Sequence, residues 1–440
     1  MNVALAKVET SQTQGELFAA ARGRLPGGVA AAQVRQAAFD DFLRRGLPHR
    51  RIEEWKYTDL RALLNEVAPL AAAPDKAALA LAADAVKALG ITGTMKLVLV
   101  DGVFAPQLSD INTTEAGVSV RTLQDVLDSA DSAETANVLR TTSAADAMIS
   151  LNAAMATDGF VVDVAAKAVL VTPIHVIHVA TRSAASSFTR SLVTVEAGAK
   201  ATLVESFVTA GGAKAYQVHD SVAVRIGEGA ELEHVRLKED ARDAANITTA
   251  IFTVGAKAKL NTFNLTHGGS VSRYQGFIDI VGAHASVATN GVNLLNGSQH
   301  GDTTLEMNHL APDCPSREVF RAVLDDRAKS VFQGRINVHQ IAQKTDAKMM
   351  TRALLLSDEA EAYNKPELEI FADDVQCGHG ATVGALDDNL LFYLRARGLP
   401  EKAAEALLIL AFVGEAIESI VNDELRELAE ATASRWLDAR

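Results

Sequence analysis

Cys377 and His379 are the residues of this chain whose types and spacing most readily suggest chemistry, because a thiol and an imidazole stand two positions apart. On a β-strand, alternation would place both side chains on one face, close enough to bind one iron ion or the exposed edge of a cluster together. Neither residue has to act as a nucleophile in this hypothesis. The alternative is a buried thiol that packs as a small hydrophobic group near a hydrogen-bonded histidine.

Other polar residues near the Cys-x-His pair offer weaker signals. A row of carboxylates precedes it and could recruit a hard cation, although such a row on a strand is usually its solvent face. The row consists of Glu367, Glu369, Asp373 and Asp374. His175 and His178 are three residues apart, so a regular strand would point them to opposite faces, and we interpret them as core or surface histidines.

The composition limits the classes of function. Forty-two basic against 55 acidic residues give a net charge of −13, which argues against a nucleic-acid-binding role. Cys314 and Cys377 are the only cysteines, so no disulfide framework and no set of four thiolates exists, and a cluster would have to borrow ligands. Residues 1–9 lack the apolar core of a signal peptide, and Ala406–Val413 is too short to span a membrane. We therefore expect a soluble, cytoplasmic protein.

Common catalytic motifs are missing from the sequence. It contains no Gly-Lys dipeptide, so the phosphate-binding loop of P-loop hydrolases is excluded, and any ATPase activity must come from a partner. Gly-x-Ser-x-Gly and His-Glu-x-x-His, typical of serine hydrolases and zinc proteases, are also absent. We therefore expect neither enzymatic activity nor a bound nucleotide in this chain.

The hydrophobic pattern divides the chain into three parts. Residues 1–90 are predicted to form an N-terminal helical domain, with helical spacing at Ala31–Arg45 and Thr58–Val67. Residues 91–380 form a strand-rich core, which contains an Ala-rich helical excursion at Leu123–Met155. Residues 381–440 return to a helical pattern.

A weak repeat runs through the strand-rich core. Gly-Ala turns recur at Gly198, Gly229, Gly255 and Gly282, spaced 31, 26 and 27 residues apart, and Ala165–Leu170 is a degenerate fifth copy. Repeats of this length without interleaved helices indicate coils that bury their apolar faces on one another. We predict a mainly β fold, a right-handed parallel β-helix flanked by helical domains. The alternative is a pair of antiparallel β-sandwiches with coincidental turns.

Two helices are predicted after the core. The first covers Asp387–Arg397 and ends at Gly398, and the second, longer helix runs from about Pro400 to about Ala431. The second has a wide apolar face, formed by Ala404, Leu407, Leu408, Ala411, Phe412 and Ile417. This pair could close the solenoid, or it could dock a second protein as a helix in a groove.

Several blocks together resemble the SufB/SufD family of iron-sulfur cluster assembly proteins. They are Trp55–Thr58, Phe332–Ile336, Lys365–Ile370, Asp373–Gly384 and Leu391–Arg395. The cysteine clusters expected of SufB are missing, so the resemblance is to the SufD branch of the family.

This resemblance implies a scaffold subunit of the SufBCD complex, which pairs with SufB through the end of its β-helix and binds the ATPase SufC through its C-terminal helices. It implies a transient iron-sulfur cluster or iron shared with SufB at the interface, with His379 as ligand and Cys377 as its neighbour. Whether the chain forms a homodimer without SufB stays open.

Two alternative functions remain open. A carbohydrate-active β-helix enzyme would use carboxylates such as Asp302, Glu306 and Asp325 along a groove of the solenoid. A purely structural subunit would support the complex without touching the cluster.

Overall fold

The computed structural model describes residues 14–111, 115–129, 132–139 and 146–440, and within them the chain is mainly β with helices toward both termini. The strands are β1 Met95–Val100, β2 Val103–Phe104, β3 Val118–Thr122, β4 Phe160–Val164, β5 Ile174–Ala180, β6 Ser186–Val195, β7 Lys200–Thr209, β8 Gln217–Ile226, β9 Glu231–Glu239, β10 Ala245–Val254, β11 Lys259–Thr266, β12 Val271–Ile280, β13 Ser286–Leu295, β14 His300–His309, β15 Pro315–Leu324, β16 Lys329–Val338, β17 Asp346–Leu355, β18 Glu361–Ile370 and β19 Gln376–Gly384. The α-helices cover residues 14–21, Val29–Arg45, Leu60–Leu63, Lys76–Ala88, Leu123–Ser129, Ser132–Leu139, Ala147–Met155, Asp388–Ala396, Glu401–Ile417 and Asp423–Asp438. Single 3-10 turns lie at Arg22–Arg24, Glu53–Trp55 and Pro106–Leu108.

The strands alternate between two sheets, which confirms the predicted parallel β-helix. From β4 onward, even-numbered strands stack in a nine-stranded sheet and odd-numbered strands in a ten-stranded sheet, each pairing in parallel with the strand two positions along the chain. Eight consecutive strand pairs, from β4 and β5 to β18 and β19, therefore form about eight turns of a solenoid.

One turn residue of each coil adopts a left-handed backbone conformation. Gly198 and Gly229 do so with φ of 69° and 66°, and Lys257 and His284 occupy the same place in later coils with φ of 57° and 62°. The Gly198 N–H donates to the Glu228 carbonyl of the next coil, and the other turns repeat this bond. The turns thus form a hydrogen-bonded ladder along one corner of the solenoid.

The predicted repeat is confirmed, but its alignment is wrong by two residues in the later coils. Gly255 and Gly282 do not match Gly229, because strand register aligns Gly229 with Lys257. Gly255 and Gly282 instead lie where the backbones of successive coils approach closely, and a Cβ at Gly282 would lie 2.0 Å from the Ala256 nitrogen. A Gly-Ala pair therefore serves two different purposes in different coils.

The main core lies inside the solenoid, between the two sheets. Alternate residues of each strand point inward and stack on their counterparts in the next coil, as Val222, Val224 and Ile226 of β8 do on Ala250, Phe252 and Val254 of β10. The outer faces are covered by helices: helix Val29–Arg45 and helix Ala147–Met155 pack on the nine-stranded sheet, whereas helix Lys76–Ala88 and the C-terminal helices pack on the ten-stranded sheet. Helices thus cover the sides of the solenoid, and not only its N-terminal end.

The two ends of the solenoid differ. At the first end, β2 and β3 pair in antiparallel fashion with β1 and β4 and close both sheets. At the other end, β18 pairs only with β16, and β19 only with β17. Two strand edges with unpaired backbone groups therefore face outward at this open end.

The N-terminal helical prediction is correct for Val29–Arg45 but wrong in part for Thr58–Val67. There, Asp59 caps a single turn at Leu60–Leu63, and Asn65, with φ of 61°, ends it. The excursion predicted at 123–155 is helical in three pieces, and its residues 130, 131 and 140–145 lie outside the described part of the chain.

The long C-terminal helix predicted from Pro400 is instead two helices, Glu401–Ile417 and Asp423–Asp438. The carboxylate of Glu233, from β9, accepts hydrogen bonds from the Val421 and Asn422 N–H groups and holds the break against the sheet. Among the described residues, no helix is long and apolar enough to cross a lipid bilayer.

The apolar face predicted for this helix is displaced as well. The residues that it buries against the ten-stranded sheet are Ala404, Ile409, Val413, Ala416 and Ile417. Leu407 is 49% exposed, and Ala411 is also exposed. The helices do not close the open end but cover a side of the solenoid, because their apolar residues meet Phe263, Val292 and Val323 there.

Candidate functional site

The Cys-x-His pair lies on β19, the terminal strand of the ten-stranded sheet. Cys377 is in register with Ala347 of β17, and His379 with Met349. Because Ala347 and Met349 both belong to the central core, Cys377 and His379 lie on the same, inward-facing side of the strand. No further coil covers β19, so this inward face meets solvent at the open end.

The two side chains have different environments. Cys377 is half-buried and packs against the central core, and this burial raises the pKa of its thiol above the ordinary value of 9.0. His379 is exposed, and its ring has no hydrogen-bond partner among the described residues. Because they are two residues apart on a strand, their Cα atoms are about 7 Å apart, and both side chains can reach one metal centre. The imidazole is therefore accessible from solvent, whereas the half-buried thiol must lose its proton before it can bind a metal.

The acidic row that precedes the pair does not join it. Glu367 and Glu369 lie on β18, in the other sheet, and contact Arg335 at 3.3 and 3.9 Å. Asp374 lies in the turn and forms an ion pair with Lys344. These carboxylates are the solvent face of the last coil.

The second cysteine and the paired histidines are also remote from the open end. Cys314 is buried in the core, and its Sγ donates to the Gly282 and Pro312 carbonyls. His175 and His178 are buried on opposite faces of β5, and the His175 ring bonds the Ser206 hydroxyl at 2.8 Å. Their interpretation as core histidines is confirmed.

A buried cluster of His178, Glu205 and Asp220 has ligand atoms close enough for a metal ion. However, the Arg236 guanidinium already bridges its two carboxylates, at 3.1 Å from Glu205 and 3.4 Å from Asp220. Arg236 and the His234 ring, whose Nε2 lies 2.6 Å from Glu205, thus already contact these carboxylates where a metal ion would bind. We therefore interpret this cluster as a structural ion-pair network.

The carboxylates of the proposed glycan-cleaving groove do not converge. Asp302 is fully buried and paired with Arg273. Asp325 follows β15 in the other sheet and pairs with Arg440. Glu306 is half-buried on the outer face of β14. The geometry of a pair of catalytic carboxylates flanking a sugar is therefore missing from these residues.

A second exposed surface follows β19. The helix Asp388–Ala396 buries none of its residues, and Leu390, Phe392 and Tyr393 on it are 51%, 74% and 54% exposed. Large aromatic side chains left in water on an amphipathic helix mark an interaction surface. The sequence analysis treated this helix and the next as one pair that could dock a second protein, but it described an apolar face only for the next helix.

The fold is thus a parallel β-helix with helix-covered sides and one open end, where a thiol and an imidazole lie on the inward face of the last strand. The chain belongs to the SufB/SufD family: residues 177–412 match the family model for the SUF system FeS cluster assembly SufBD core domain, and residues 9–176 match that for the SufBD N-terminal region.

Individual relatives agree with this membership. An iron-sulfur cluster assembly SufBD family protein of Synechocystis sp. is 32% identical over 88% of this chain and 86% of its own length. The iron-sulfur cluster assembly protein SufD of Escherichia coli is 29% identical over 91% of this chain and 92% of its own length. SufD of Bacillus subtilis is 25% identical over 62% of this chain and 63% of its own length.

Proposed function

We propose that this chain is the SufD-type, non-enzymatic scaffold subunit of a SufBCD complex, and that it helps to form a nascent iron-sulfur cluster at its interface with SufB. The observation that carries the proposal is the placement of Cys377 and His379 on the inward face of the uncovered strand β19. The cluster is the cargo of the complex and is bound only transiently.

The open end supports pairing with SufB. β18 and β19 offer ten and nine residues of unpaired strand edge, and Ile370 and Phe371 beside them are 42% and 60% exposed. Continuous edges with exposed apolar residues favour addition of another strand pair. A related β-helix could therefore continue both sheets, and a second copy of this chain could do so when SufB is absent.

The donor set supports a shared cluster. The open end provides one imidazole and one thiol, whereas an iron-sulfur cluster usually needs four protein ligands, so the remaining ligands would come from SufB. His379 is the better ligand of the two, because its ring is exposed, whereas burial raises the pKa of the Cys377 thiol and so disfavours the thiolate. Cys377 is then a neighbour that can join once a cation lowers the pKa of its thiol.

The exposed helix Asp388–Ala396, together with the outer side of Glu401–Ile417, supports binding of the ATPase SufC. Besides Phe392 and Tyr393, this part of the chain also exposes Leu399 and Leu407, at 36% and 49%. Since the buried side of Glu401–Ile417 packs on the sheet, the outer side remains for a partner. ATP would be bound and hydrolysed by that partner, not by this chain.

The deciding experiment co-expresses the chain with SufB and SufC, purifies the complex without oxygen, and measures iron and sulfide per complex for wild type and His379→Ala. We expect both contents to fall several-fold in the variant while the complex stays intact on size exclusion. His284→Asn serves as a matched control, because His284 is an exposed histidine in an earlier coil and asparagine tolerates its left-handed backbone.

Unchanged iron and sulfide in His379→Ala would reject the ligand role and leave a purely structural subunit. Loss of the complex itself would instead place His379 in the protein interface. A companion variant, Phe371→Asp, should weaken pairing with SufB, because it puts a charge among the exposed apolar residues of the open end.

A further inference from the structure

A groove lies between the N-terminal segment Ile52–Trp55 and the outer face of the nine-stranded sheet, and it reaches β18, the last strand of that sheet. It has a volume of about 770 Å³ and crosses β10, β12, β14, β16 and β18. Five neighbouring strands spaced by about 4.8 Å make it about 19 Å long, the length of roughly six residues of extended peptide.

The groove carries an excess of negative charge. Its carboxylates are Glu53, Glu54, Asp146, Asp279, Glu306 and Glu367, and its cationic side chains are Arg45, Arg335 and Lys365. The cations are already engaged: Lys365 pairs with Glu53, Arg335 with Glu367, and Arg45 with Asp41. Within the described ranges, Asp146, Asp279 and Glu306 form no ion pair with a lysine or arginine. In the described part of the chain, Asp146 and Asp279 thus have no cationic partner and accept hydrogen bonds only from neutral groups, the Trp55 and Asn308 side chains among them, whereas Glu306 shares the positive charge of Arg335 with Glu367.

A buried amide in the groove lacks a donor. Gln275, on the outward face of β12, is 1% exposed, and its Oε1 has no hydrogen-bond partner among the described residues. Its Nε2 donates to Asp146 Oδ2 at 3.4 Å, which fixes Oε1 as the unpartnered acceptor. Burying such an acceptor without a donor is unfavourable, so the position suits an incoming N–H group.

The surroundings of Gln275 combine charge with apolar contact. Phe277 and Asp279 follow it at two-residue intervals on the same face of β12, and Glu306 of β14 is in register with Phe277. A guanidinium or ammonium group could satisfy Gln275 Oε1 and a carboxylate together, while its neighbouring apolar residue packs on Phe277.

We propose that this groove binds an extended, basic segment of a partner protein, with an arginine or lysine directed to Gln275, Asp279 and Glu306 and an apolar residue on Phe277. The length of the groove favours a peptide over a small cation, which would fill only part of it. The site is independent of the proposed cluster site, because it lies on the outer face of the other sheet.

The test measures binding of a fluorescein-labelled peptide of alternating arginine and leucine to the full chain by fluorescence anisotropy. We expect Gln275→Leu combined with Glu306→Gln to weaken binding at least about 10-fold. Glu430→Gln, at an exposed carboxylate of the last C-terminal helix, should leave it unchanged. Glu306→Gln alone, on a half-buried side chain, should weaken binding about threefold and guards against misfolding of the double variant.

Three results would overturn the proposal. Equal binding to wild type and both groove variants would mean general attraction to an acidic chain. Absence of binding at low salt would mean that the groove does not recognise basic peptides. Spermine that binds wild type as tightly as the peptide, and loses affinity in the same variants, would identify a site for small cations.

Discussion

Glu318 provides a sharp test of the interior of the solenoid. It lies on β15, in register between Thr289 of β13 and Met349 of β17, and it is 1% exposed. Neither of its carboxylate oxygens has a hydrogen-bond partner among the described residues, and burial raises its pKa from 4.5 to about 8. The folded chain therefore holds this carboxyl protonated at neutral pH.

The raised pKa fixes the sign of the pH dependence. A group that binds its proton more tightly in the folded chain stabilises the fold most at low pH, and this contribution is lost as the pH rises toward the folded pKa. With about 1.36 kcal/mol per pKa unit, the shift from 4.5 to about 8 lowers the free energy of unfolding by roughly 3 kcal/mol between pH 5 and pH 8.

Glu318→Gln removes this dependence, because the amide is neutral at every pH. We expect similar stability of variant and wild type at pH 5, and an advantage of the variant that grows by roughly 3 kcal/mol up to pH 8. Urea unfolding followed by circular dichroism at both pH values measures it, with the exposed Glu430→Gln as control. A difference that does not change with pH would refute the assignment of Glu318 as a buried, protonated carboxyl.

Two further predictions concern the turns and the exposed helix. Gly282→Ala should destabilise the chain by about 3 kcal/mol or more in thermal unfolding, because the new Cβ would lie 2.0 Å from the backbone of the preceding coil. Gly229→Ala, with open space around it, should destabilise the chain by only about 1 kcal/mol. Equal losses would contradict the two roles of these glycines. Phe392→Ser on Asp388–Ala396 should abolish capture of SufC in a pull-down without lowering the unfolding temperature. Val421→Ser, at a similarly exposed apolar residue, should leave capture of SufC unchanged. Retained capture by Phe392→Ser would place the docking surface elsewhere.

The repeat was predictable because every coil needs a turn, and a turn needs either a left-handed residue or a close backbone approach. Both demands favour glycine, although Lys257 and His284 fill the left-handed position in later coils, so the sequence alone could not separate Gly229 from Gly255. Strand register separates them, since it aligns Gly229 with Lys257.

For the candidate site, too, one part could be predicted from the sequence and another part could not. Spacing alone placed Cys377 and His379 on one face of a strand, and the structure has them on the inward face of β19. Adjacency in the sequence also raised the carboxylates of β18 as possible cation ligands beside the pair, but the structure has them on the solvent face, as the favoured interpretation had it. Consecutive strands of a β-helix belong to different sheets, so Glu367 and His379 lie on separate walls of the solenoid.

The sequence by itself determined the solenoid, the helical flanks and the Cys-x-His pair, because periodicity and short spacing are local properties that need no knowledge of distant contacts. Only the tertiary structure decided which end of the solenoid stays open, which side of Glu401–Ile417 is buried, and that Ile52–Trp55 forms a groove with strands more than 190 residues away. These features depend on surfaces that come together after folding, and the same apolar pattern is compatible with several such surfaces.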